Sequence, residues 1–313
     1  MLTESEYNKE RADALYHIAY CLHNKPEPEW DKAIEAYQKA MDLLTESKYS
    51  KDRASALNQI AYCLHTKPEP EWDEAIETYR KAAELLTESE HNKDRSFALL
   101  RIAYCLHSKP EPEWDEAIET YQKAAELLTN SEEQENYAYV LHQIAYCLRI
   151  KPEPDWEKAI ETYKETIKIK ENPNSIIGLM ICHDAIGDFK SADNLMAKLQ
   201  AEDIDRGSSD KIVALAERRN AYFALRSGDR IETLAIAESL KDSSENAKAM
   251  LISAIVHFAD EDEQAFLQKL SYASPSMDDK LWARGIAIGY FARFDIPNIS
   301  QFLDKVMSAN ESR

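Results

Sequence analysis

A unit of 42 residues occurs four times in the first half of the chain with little change. In its second copy the unit runs from Ser50 to His91, and its central part reads IAYCLHTKPEPEWDEAIETYRKAAELL. Two apolar residues recur in this register, at Ile18, Ile60, Ile102 and Ile144, and at Trp30, Trp72, Trp114 and Trp156. Self-similarity at a fixed period of this length is typical of stacked repeats. We therefore expect an array that grows by adding neighbours rather than by enlarging one core.

Composition favours helices and excludes several classes of partner. Six glycines in 313 residues leave few positions for tight β-turns, whereas the good helix formers Ala, Leu, Glu and Lys are abundant. The formal net charge of -19 repels phosphate backbones and anionic lipid, so we expect neither a nucleic-acid nor a membrane partner. The first residues, MLTESEYNKE, lack the basic and apolar segments of a signal peptide. The protein is expected in the cytoplasm, or exported without a cleaved signal.

A proline break divides each unit into two predicted helices. In the first unit, the helices are expected from about Tyr7 to Asn24 and from about Pro28 to Leu44, with Lys25-Pro26-Glu27-Pro28 between them. Proline suits the first position of a helix because its missing N–H would be unbonded there anyway. Apolar residues follow the i, i+3, i+4, i+7 spacing of a buried stripe, at Leu15, Ile18, Ala19 and Leu22. Each unit is thus predicted to be a helical hairpin.

The second helices resemble those of the tetratricopeptide repeat (TPR) family. WDKAIEAYQKA, WDEAIETYRKA and WDEAIETYQKA, which begin at Trp30, Trp72 and Trp114, match the family's aromatic-x-x-Ala-Ile-x-x-Tyr-x-x-Ala stripe. The family repeat usually has about 34 residues and a glycine before the second helix, whereas a Pro-Glu-Pro turn stands here. The resemblance implies an all-α solenoid of antiparallel hairpins. It also implies a protein-interaction scaffold whose first helices line a groove for a partner segment.

The repeat identity is lost near residue 171, which predicts two regions. Residues 1–170 hold the four near-identical units. Residues 171–313 keep the rhythm of hairpins with a divergent sequence and end in a predicted cap. About eight hairpins are expected in all.

Positions that differ among the near-identical units indicate where a partner binds. In the first helices they form four columns, which cluster with a constant tyrosine on the face opposite the packing stripe, at 100° per residue. Drift of a solvated face is the alternative reading, but drift in this acidic chain would leave Glu and Lys there instead of aromatic residues. The expected partner-binding residues are Asp13, Tyr16, His17, Tyr20, Asn24, Ser55, Asn58, Gln59, Tyr62, Thr66, Phe97, Leu100, Arg101, Tyr104, Ser108, Tyr139, His142, Gln143, Tyr146 and Ile150.

No motif indicates a cofactor, a metal or catalysis, so we expect no cofactor and no enzyme. His23, His65 and His107 form a column, but equivalent atoms in neighbouring repeats lie about 10 Å apart, too far for zinc bonds of roughly 2 Å. The cluster Cys182-His183-Asp184 keeps an enzyme as a less favoured alternative, since adjacent helical residues point 100° apart. A bacterial effector or regulatory protein that redirects a complex is the other alternative.

The first hairpin keeps the apolar pattern of an interior repeat. Met1 to Ser5, MLTES, repeats the LLTES of Leu43 to Ser47 and is interpreted as the tail of a preceding second helix. Terminal repeats normally carry a polar outer face because no neighbour covers them. We therefore expect a homodimer or another partner to cover the N-terminal face, or natural upstream repeats to precede it.

Overall fold

The computed structural model describes residues 3–128, 133–201, 210–243, 246–273, 275 and 277–308. Within those ranges the chain forms sixteen α-helices and no strand. None of these helices is long and apolar enough to cross a membrane. Successive helices pair as α1 with α2, α3 with α4 and α5 with α6, and later as α9 with α10 and α13 with α14. The predicted all-α fold of stacked helical hairpins is confirmed.

The chain divides into two compact units, Met1–Cys147 and Leu148–Arg313, here called unit 1 and unit 2. The helices of the first part are α1 Glu4–Asn24, α2 Trp30–Leu43, α3 Ser50–Thr66, α4 Trp72–Leu85, α5 Asn92–Ser108, α6 Trp114–Glu126 and α7 Gln134–Ile150. Those of unit 2 are α8 Trp156–Ile169, α9 Pro173–Ala185, α10 Phe189–Ala201, α11 Asp210–Ser227, α12 Arg230–Ser239, α13 Asn246–Ala259, α14 Glu263–Ala273, α15 Met277–Arg293 and α16 Ile299–Met307.

The compact units divide before the repeat identity ends. Within unit 2, Arg284 on α15 donates hydrogen bonds to the carbonyl oxygens of Lys151, at 2.8 Å, and Pro152. The proline turn of the fourth repeat is therefore bonded to the divergent helices. The sequence boundary at 170 marks repeat identity, whereas the division after Cys147 marks packing.

The proline turn is closed by a main-chain hydrogen bond that recurs in every repeat. The amide of Glu29 donates to the carbonyl of Leu22 at 3.0 Å, and the same bond joins Glu71 to Leu64 and Glu113 to Leu106. The second helix then begins at Trp30, so Pro28 precedes it instead of taking its first position. The prediction for Pro28 was wrong by two residues, because Glu29 has the non-helical backbone of an N-cap, with φ -101° and ψ 73°.

Thr3, Glu4 and Ser5 belong to the first hairpin itself. Thr3 caps α1: its side chain accepts from the amide of Glu6 at 3.2 Å, while the carboxylate of Glu6 accepts from the amide of Thr3 at 2.7 Å. Glu4 and Ser5 already lie in α1, and Met1 and Leu2 lie outside the described residues. The interpretation of Thr3 to Ser5 as part of a preceding helix was wrong. Thr3 and Glu6 form a capping box, which sequence spacing alone also allows.

Unit 1 and unit 2 each have a hydrophobic core. In unit 1 the second helices bury tyrosines completely, since Tyr37, Tyr79 and Tyr121 are at most 1% exposed, and small alanines of the first helices face them. In unit 2 four phenylalanines, Phe258, Phe266, Phe291 and Phe302, pack with ring centroids 5.2 to 5.9 Å apart. The cysteines are free, as expected, and Cys63 and Cys105 are buried while Cys21 is exposed.

Candidate functional site

The predicted partner-binding residues lie on α1, α3, α5 and α7, opposite a buried stripe. The stripe alanines Ala19, Ala61, Ala103 and Ala145 are completely buried within unit 1. Six large hydrophobic side chains of the described part of unit 1 are exposed, and four of them belong to the predicted set: Tyr20 at 51%, Phe97 at 46%, Tyr104 at 37% and Tyr139 at 51%. We call the surface formed by the predicted residues of unit 1 the first-helix face.

The other predicted residues of this face are mostly accessible in part. Asp13, His17, Asn24 and Thr66 are exposed. The half-buried members are Tyr16, Ser55, Asn58, Gln59, Tyr62, Leu100, Arg101, Ser108, His142, Gln143 and Tyr146. Tyr16 also packs inward, with its ring edge toward Tyr37 at a centroid distance of 5.0 Å. The depth of the predicted side chains therefore varies, because neighbouring side chains cover some of them.

Ile150 does not belong to the surface. It is 1% exposed and lies in unit 2, after the division at Cys147. Its equivalents Asn24 and Thr66 are exposed and Ser108 is half-buried, so the change to an apolar residue accompanies a change to a packed position. The prediction that Ile150 contacts a partner is corrected here, because a buried side chain offers no contact area.

The constant tyrosines join neighbouring hairpins. The ring of Tyr62 lies 5.7 Å from His23 of the preceding hairpin and 5.4 Å from His65 of its own. Tyr104 repeats the arrangement, 5.8 Å from His65 and 5.4 Å from His107. Sequence reasoning treated these tyrosines only as a binding surface. Their constancy, beside columns that vary, was the available signal that they also have a packing role.

The histidine column is buried and bonded within each hairpin. His65 is 8% exposed and stacks on Trp72 with ring centroids 6.1 Å apart. Its Nδ1 lies 3.0 Å from the carbonyl oxygen of Ala61, a contact that requires the proton on Nδ1. Burial lowers the pKa of His65 below the ordinary 6.5, and the carbonyl partly opposes that change. These contacts make the histidines packing groups and leave Nδ1 occupied.

Arg101 is the cation of the first-helix face. Its guanidinium carbon lies 4.9 Å from the ring centroid of Phe97, a cation–π contact that orients the charged group. Among the described residues, its Nε has no hydrogen-bond partner. That Nε is buried, so an incoming carboxylate would have to accept hydrogen bonds from the other N–H groups of the guanidinium.

The face is neutral to basic in a strongly acidic chain. The predicted residues on α3, α5 and α7 include no Asp or Glu, although the net charge of the chain is -19. On α1 the carboxylate of Asp13 is paired with Lys9 Nζ at 2.5 Å. An acidic partner segment would therefore be repelled by most of the surface and least by this face.

One group of potential metal ligands occurs among the described residues. Glu88, Glu90 and His91 bring one ligand atom each within 4.8 Å of one another on a short turn before α5. Both glutamates are exposed, and exposed acidic groups come together in this way without an ion. The histidine column does not contribute to the group.

The cluster Cys182-His183-Asp184 does not form a reactive arrangement. Asp184 forms a buried bidentate pair with Arg226, with Nε–Oδ2 at 2.5 Å and Nη2–Oδ1 at 2.9 Å. His183 Nδ1 lies 3.0 Å from the carboxylate of Asp188 instead. Burial raises the pKa of the Cys182 thiol to about 12, which disfavours the nucleophilic thiolate. The three side chains serve different contacts, as their angular spacing on a helix predicted.

Comparison with known proteins places the chain among helical repeat proteins. The family model of the soluble NSF attachment protein, SNAP, matches residues 1–205. A search of curated proteins found no match.

Solved structures share the fold at low identity. The apo form of RapI has a TM-score of 0.63 and 15% identity, over 86% of this chain and 97% of its own. A tetratricopeptide repeat protein from Parabacteroides merdae has a TM-score of 0.59 and 13% identity, over 96% and 98%. A Rap protein complexed with competence and sporulation factor has a TM-score of 0.52 and 15% identity, over 98% and 78%. These likenesses confirm the predicted TPR-like architecture.

Proposed function

The chain belongs to the soluble NSF attachment protein family, and from that premise we propose that it is a scaffold that binds a segment of a partner protein on the first-helix face, without turnover. The observation that carries this proposal is the concentration of exposed aromatic rings. Tyr20, Phe97, Tyr104 and Tyr139 are each at least 37% exposed on one face of unit 1. Exposed aromatic side chains provide large, rigid contacts at low entropic cost.

The charge of the face adds a preference for the bound segment. Arg101 stands beside Phe97 without an acidic neighbour in the predicted columns of α3, α5 and α7. A segment with apolar side chains and a nearby carboxylate satisfies both the rings and the guanidinium. The complex of a Rap protein with competence and sporulation factor is consistent with ligand binding on this architecture, although it concerns another protein.

A triple substitution tests the face. Phe97→Ala, Arg101→Glu and Tyr139→Ala remove two exposed rings and reverse the charge, while Tyr62 and Tyr104 remain to join the hairpins. Partner proteins that the intact protein captures should bind the variant at least about tenfold more weakly in titrations. This change corresponds to a loss of about 1.4 kcal/mol of binding free energy. Circular dichroism should show unchanged helicity.

Tyr272→Ala is the matched control, because this ring in unit 2 is 54% exposed and lies off the face. It should leave binding unchanged. Equal affinity of the triple variant and the intact protein for every enriched partner would refute the assignment of the face.

The N-terminal face supports a second candidate function, self-association. Ile18 is 53% exposed, whereas its equivalents Ile60, Ile102 and Ile144 are 3% to 6% exposed. Since a neighbouring hairpin covers this position in the later repeats of unit 1, we propose that a second copy of the chain covers it in a homodimer. Ile18→Glu should then convert dimers to monomers in light scattering.

The best substitutions for that test follow from burial. Ala12 and Ala19 are 2% and 0% exposed inside the first hairpin, so charges placed there would disrupt the fold rather than the interface. Ile18 has the exposure that the test needs. If the unmodified protein is monomeric at high concentration, the homodimer proposal is wrong.

A further inference from the structure

A cavity of about 250 Å³ opens in unit 2. It lies between the C-terminal end of α13, the start of α14, the segment after α15 and the first turns of α16. Its lining residues are Phe258, Ala259, Glu261, Glu263, Phe266, Ile296, Pro297, Asn298, Gln301 and Lys305. Small-molecule and cofactor sites usually measure about 300–1,000 Å³. The cavity is therefore sized for one large side chain rather than for a cofactor.

The floor of the cavity is apolar and rigid. Phe258 is half-buried, and its ring packs against Phe266 at 5.4 Å and Phe302 at 5.2 Å. Ile296 and Pro297 form a wall beside it. Because the aromatic rings are held by one another, an apolar side chain that enters meets a preformed surface.

The rim carries an unbalanced negative charge. Lys305 Nζ is paired with the carboxylate of Glu263 at 2.6 Å and lies 5.8 Å from the ring centroid of Phe266. Lys305 thereby neutralises one of the two rim glutamates. Among the described residues no cation pairs with Glu261, which is exposed at the mouth. The rim therefore favours a positive group on the ligand.

The start of α16 offers main-chain donors to the same cavity. Asn298 precedes the helix and makes no side-chain capping hydrogen bond, so the first-turn amides lack a side-chain acceptor at that position. Asn298 itself lines the cavity. A main-chain carbonyl of a bound segment matches these donors, whereas a free hydrocarbon does not.

The backbone around the cavity is held in an uncommon conformation. Among the described residues, those other than glycine with positive φ are Glu261 at 60°, Asp295 at 50° and Asn298 at 68°. Two of them line the cavity, and the third precedes the lining residue Ile296. Glu261 and Asp295 end α13 and α15 in left-handed caps, closed by hydrogen bonds from the amide of Asp262 to the carbonyl of His257 and from the amide of Ile296 to the carbonyl of Phe291, each at 2.9 Å. The conformation orients the two turns that form the mouth.

We infer that this cavity binds a partner segment that inserts one aromatic or large aliphatic side chain and places a lysine or arginine beside it. The apolar side chain packs on Phe258, its main-chain carbonyl accepts from the start of α16, and the neighbouring cation pairs with Glu261. The inference concerns unit 2 and does not depend on the first-helix face.

Short capped peptides test the inference directly on the full chain. The probes are acetyl-Ser-Phe-Lys-Ser-amide, the same peptide with Glu in place of Lys, and the same peptide with Gly in place of Phe. Binding is measured by titration with nuclear magnetic resonance, which also locates the contact. We expect the Phe-Lys peptide to bind at least about tenfold more tightly than either of the others, with shifts at Phe258, Ile296 and Asn298.

Charge reversal at the rim separates the site from general attraction to an acidic protein. Glu261→Lys should reverse the preference, so that the Phe-Glu peptide binds more tightly than the Phe-Lys peptide. Asp304→Lys is the matched control, because Asp304 is exposed on α16 outside the cavity and the net charge changes equally. The Asp304→Lys variant should still bind the Phe-Lys peptide more tightly than the Phe-Glu peptide.

Two results would overturn the inference. One is an unchanged peptide preference in Glu261→Lys with a folded chain. The other is binding of the Phe-Lys peptide that leaves the resonances around Phe258 unmoved, since the peptide would then occupy another surface. Ala259→Phe fills the cavity from its lining and should abolish binding of all three peptides, whereas retained binding contradicts the assigned location.

Discussion

Unit 1 and unit 2 are built from the same element, a helical hairpin, but they are stabilised in different ways. In unit 1 the same contacts recur in each repeat, such as the tyrosine rings between His23 and His65 and between His65 and His107. In unit 2 the central contacts occur once, in a cluster of phenylalanines and in the buried pair of Asp184 and Arg226. Repetition spreads stability over many equal interfaces. In the divergent unit 2, stability depends more on a few side chains, and no equivalent contact elsewhere replaces one that is lost.

The largest expected effect is therefore in unit 2. Arg226 and Asp184 have side chains only 3% and 4% exposed, and Tyr222 also donates to Asp184 at 3.3 Å. Arg226→Met leaves the buried carboxylate with only the longer 3.8 Å contact to Arg293 Nη1, which should lower the free energy of unfolding by about 3–5 kcal/mol. Denaturant melts measure the loss. Adding Asp184→Leu should recover much of it, and a double variant as unstable as the single one would show that the charge is not the cause.

A smaller loss of stability should distinguish the buried Ile60 from the exposed Ile18 within unit 1. Ile60→Ala removes a side chain that is 6% exposed and should lower the free energy of unfolding by about 2–5 kcal/mol. Ile18→Ala changes the same residue in the same register, but at 53% exposure, and should cost about 0.5 kcal/mol or less. Equal losses in denaturant melts would mean that Ile18 is covered in solution, as the proposed homodimer requires.

The pH dependence of the free energy of unfolding should also differ between histidines of unit 1 and unit 2. Burial lowers the pKa of His65 below 6.5, so the native state rejects a proton that the unfolded chain accepts. Above about pH 6.5, His65 is neutral in both states and does not lower the free energy of unfolding. As the pH drops from 6.5 toward the lowered native pKa, protons bind the unfolded chain more tightly and the protein becomes less stable. The pKa of His183 is lowered by burial too, but Asp188 opposes that change.

Paired substitutions measure this difference. His65→Gln should flatten the fall in stability between pH 7.5 and pH 5 more than His183→Gln does, as followed by urea midpoints. The reason is that His65 has no carboxylate among the causes that shift its pKa, whereas His183 has Asp188 at 3.0 Å. A larger flattening from His183→Gln would contradict the assignment.

The smallest effect is expected for the ion pairs on the surface of unit 1. Lys51 Nζ lies 2.9 Å from the carboxylate of Asp94 in the next hairpin, with side chains 58% and 42% exposed. Such a pair contributes about 0–1 kcal/mol in water, and salt screens it. Lys51→Ala should therefore change the melting midpoint little, and less at high salt. A loss comparable with that of Arg226→Met would remove the contrast between repeated surface contacts and the unique buried pair.

The proposed sites differ in how far the sequence indicates them. The helical period correctly placed the rings of Phe97 and Tyr139 on an exposed face. It could not show that Tyr62 contacts His23 of the preceding hairpin, because a period describes one helix and not the distance to the next. The cavity beside Phe258 had no sequence signal at all, since its lining comes from two distant stretches, 258–266 and 296–305, with no shared motif.

By itself, the sequence determined the helical hairpins and the proline turns between their helices. These properties follow from the local geometry of about 3.6 residues per turn and from the repetition of one unit. A cytoplasmic location and the particular partner stay predictions.

Only the tertiary structure decided how deeply each of these residues lies. Ile18 and Ile60 occupy the same place in near-identical repeats, yet one is 53% exposed and the other 6%. Ile150 is buried although its column is mostly accessible, and Arg226 meets Asp184 across 42 residues of chain. Burial and ion pairing depend on which helix packs alongside, and that neighbour is set by the three-dimensional arrangement of hairpins rather than by the spacing of residues within one of them.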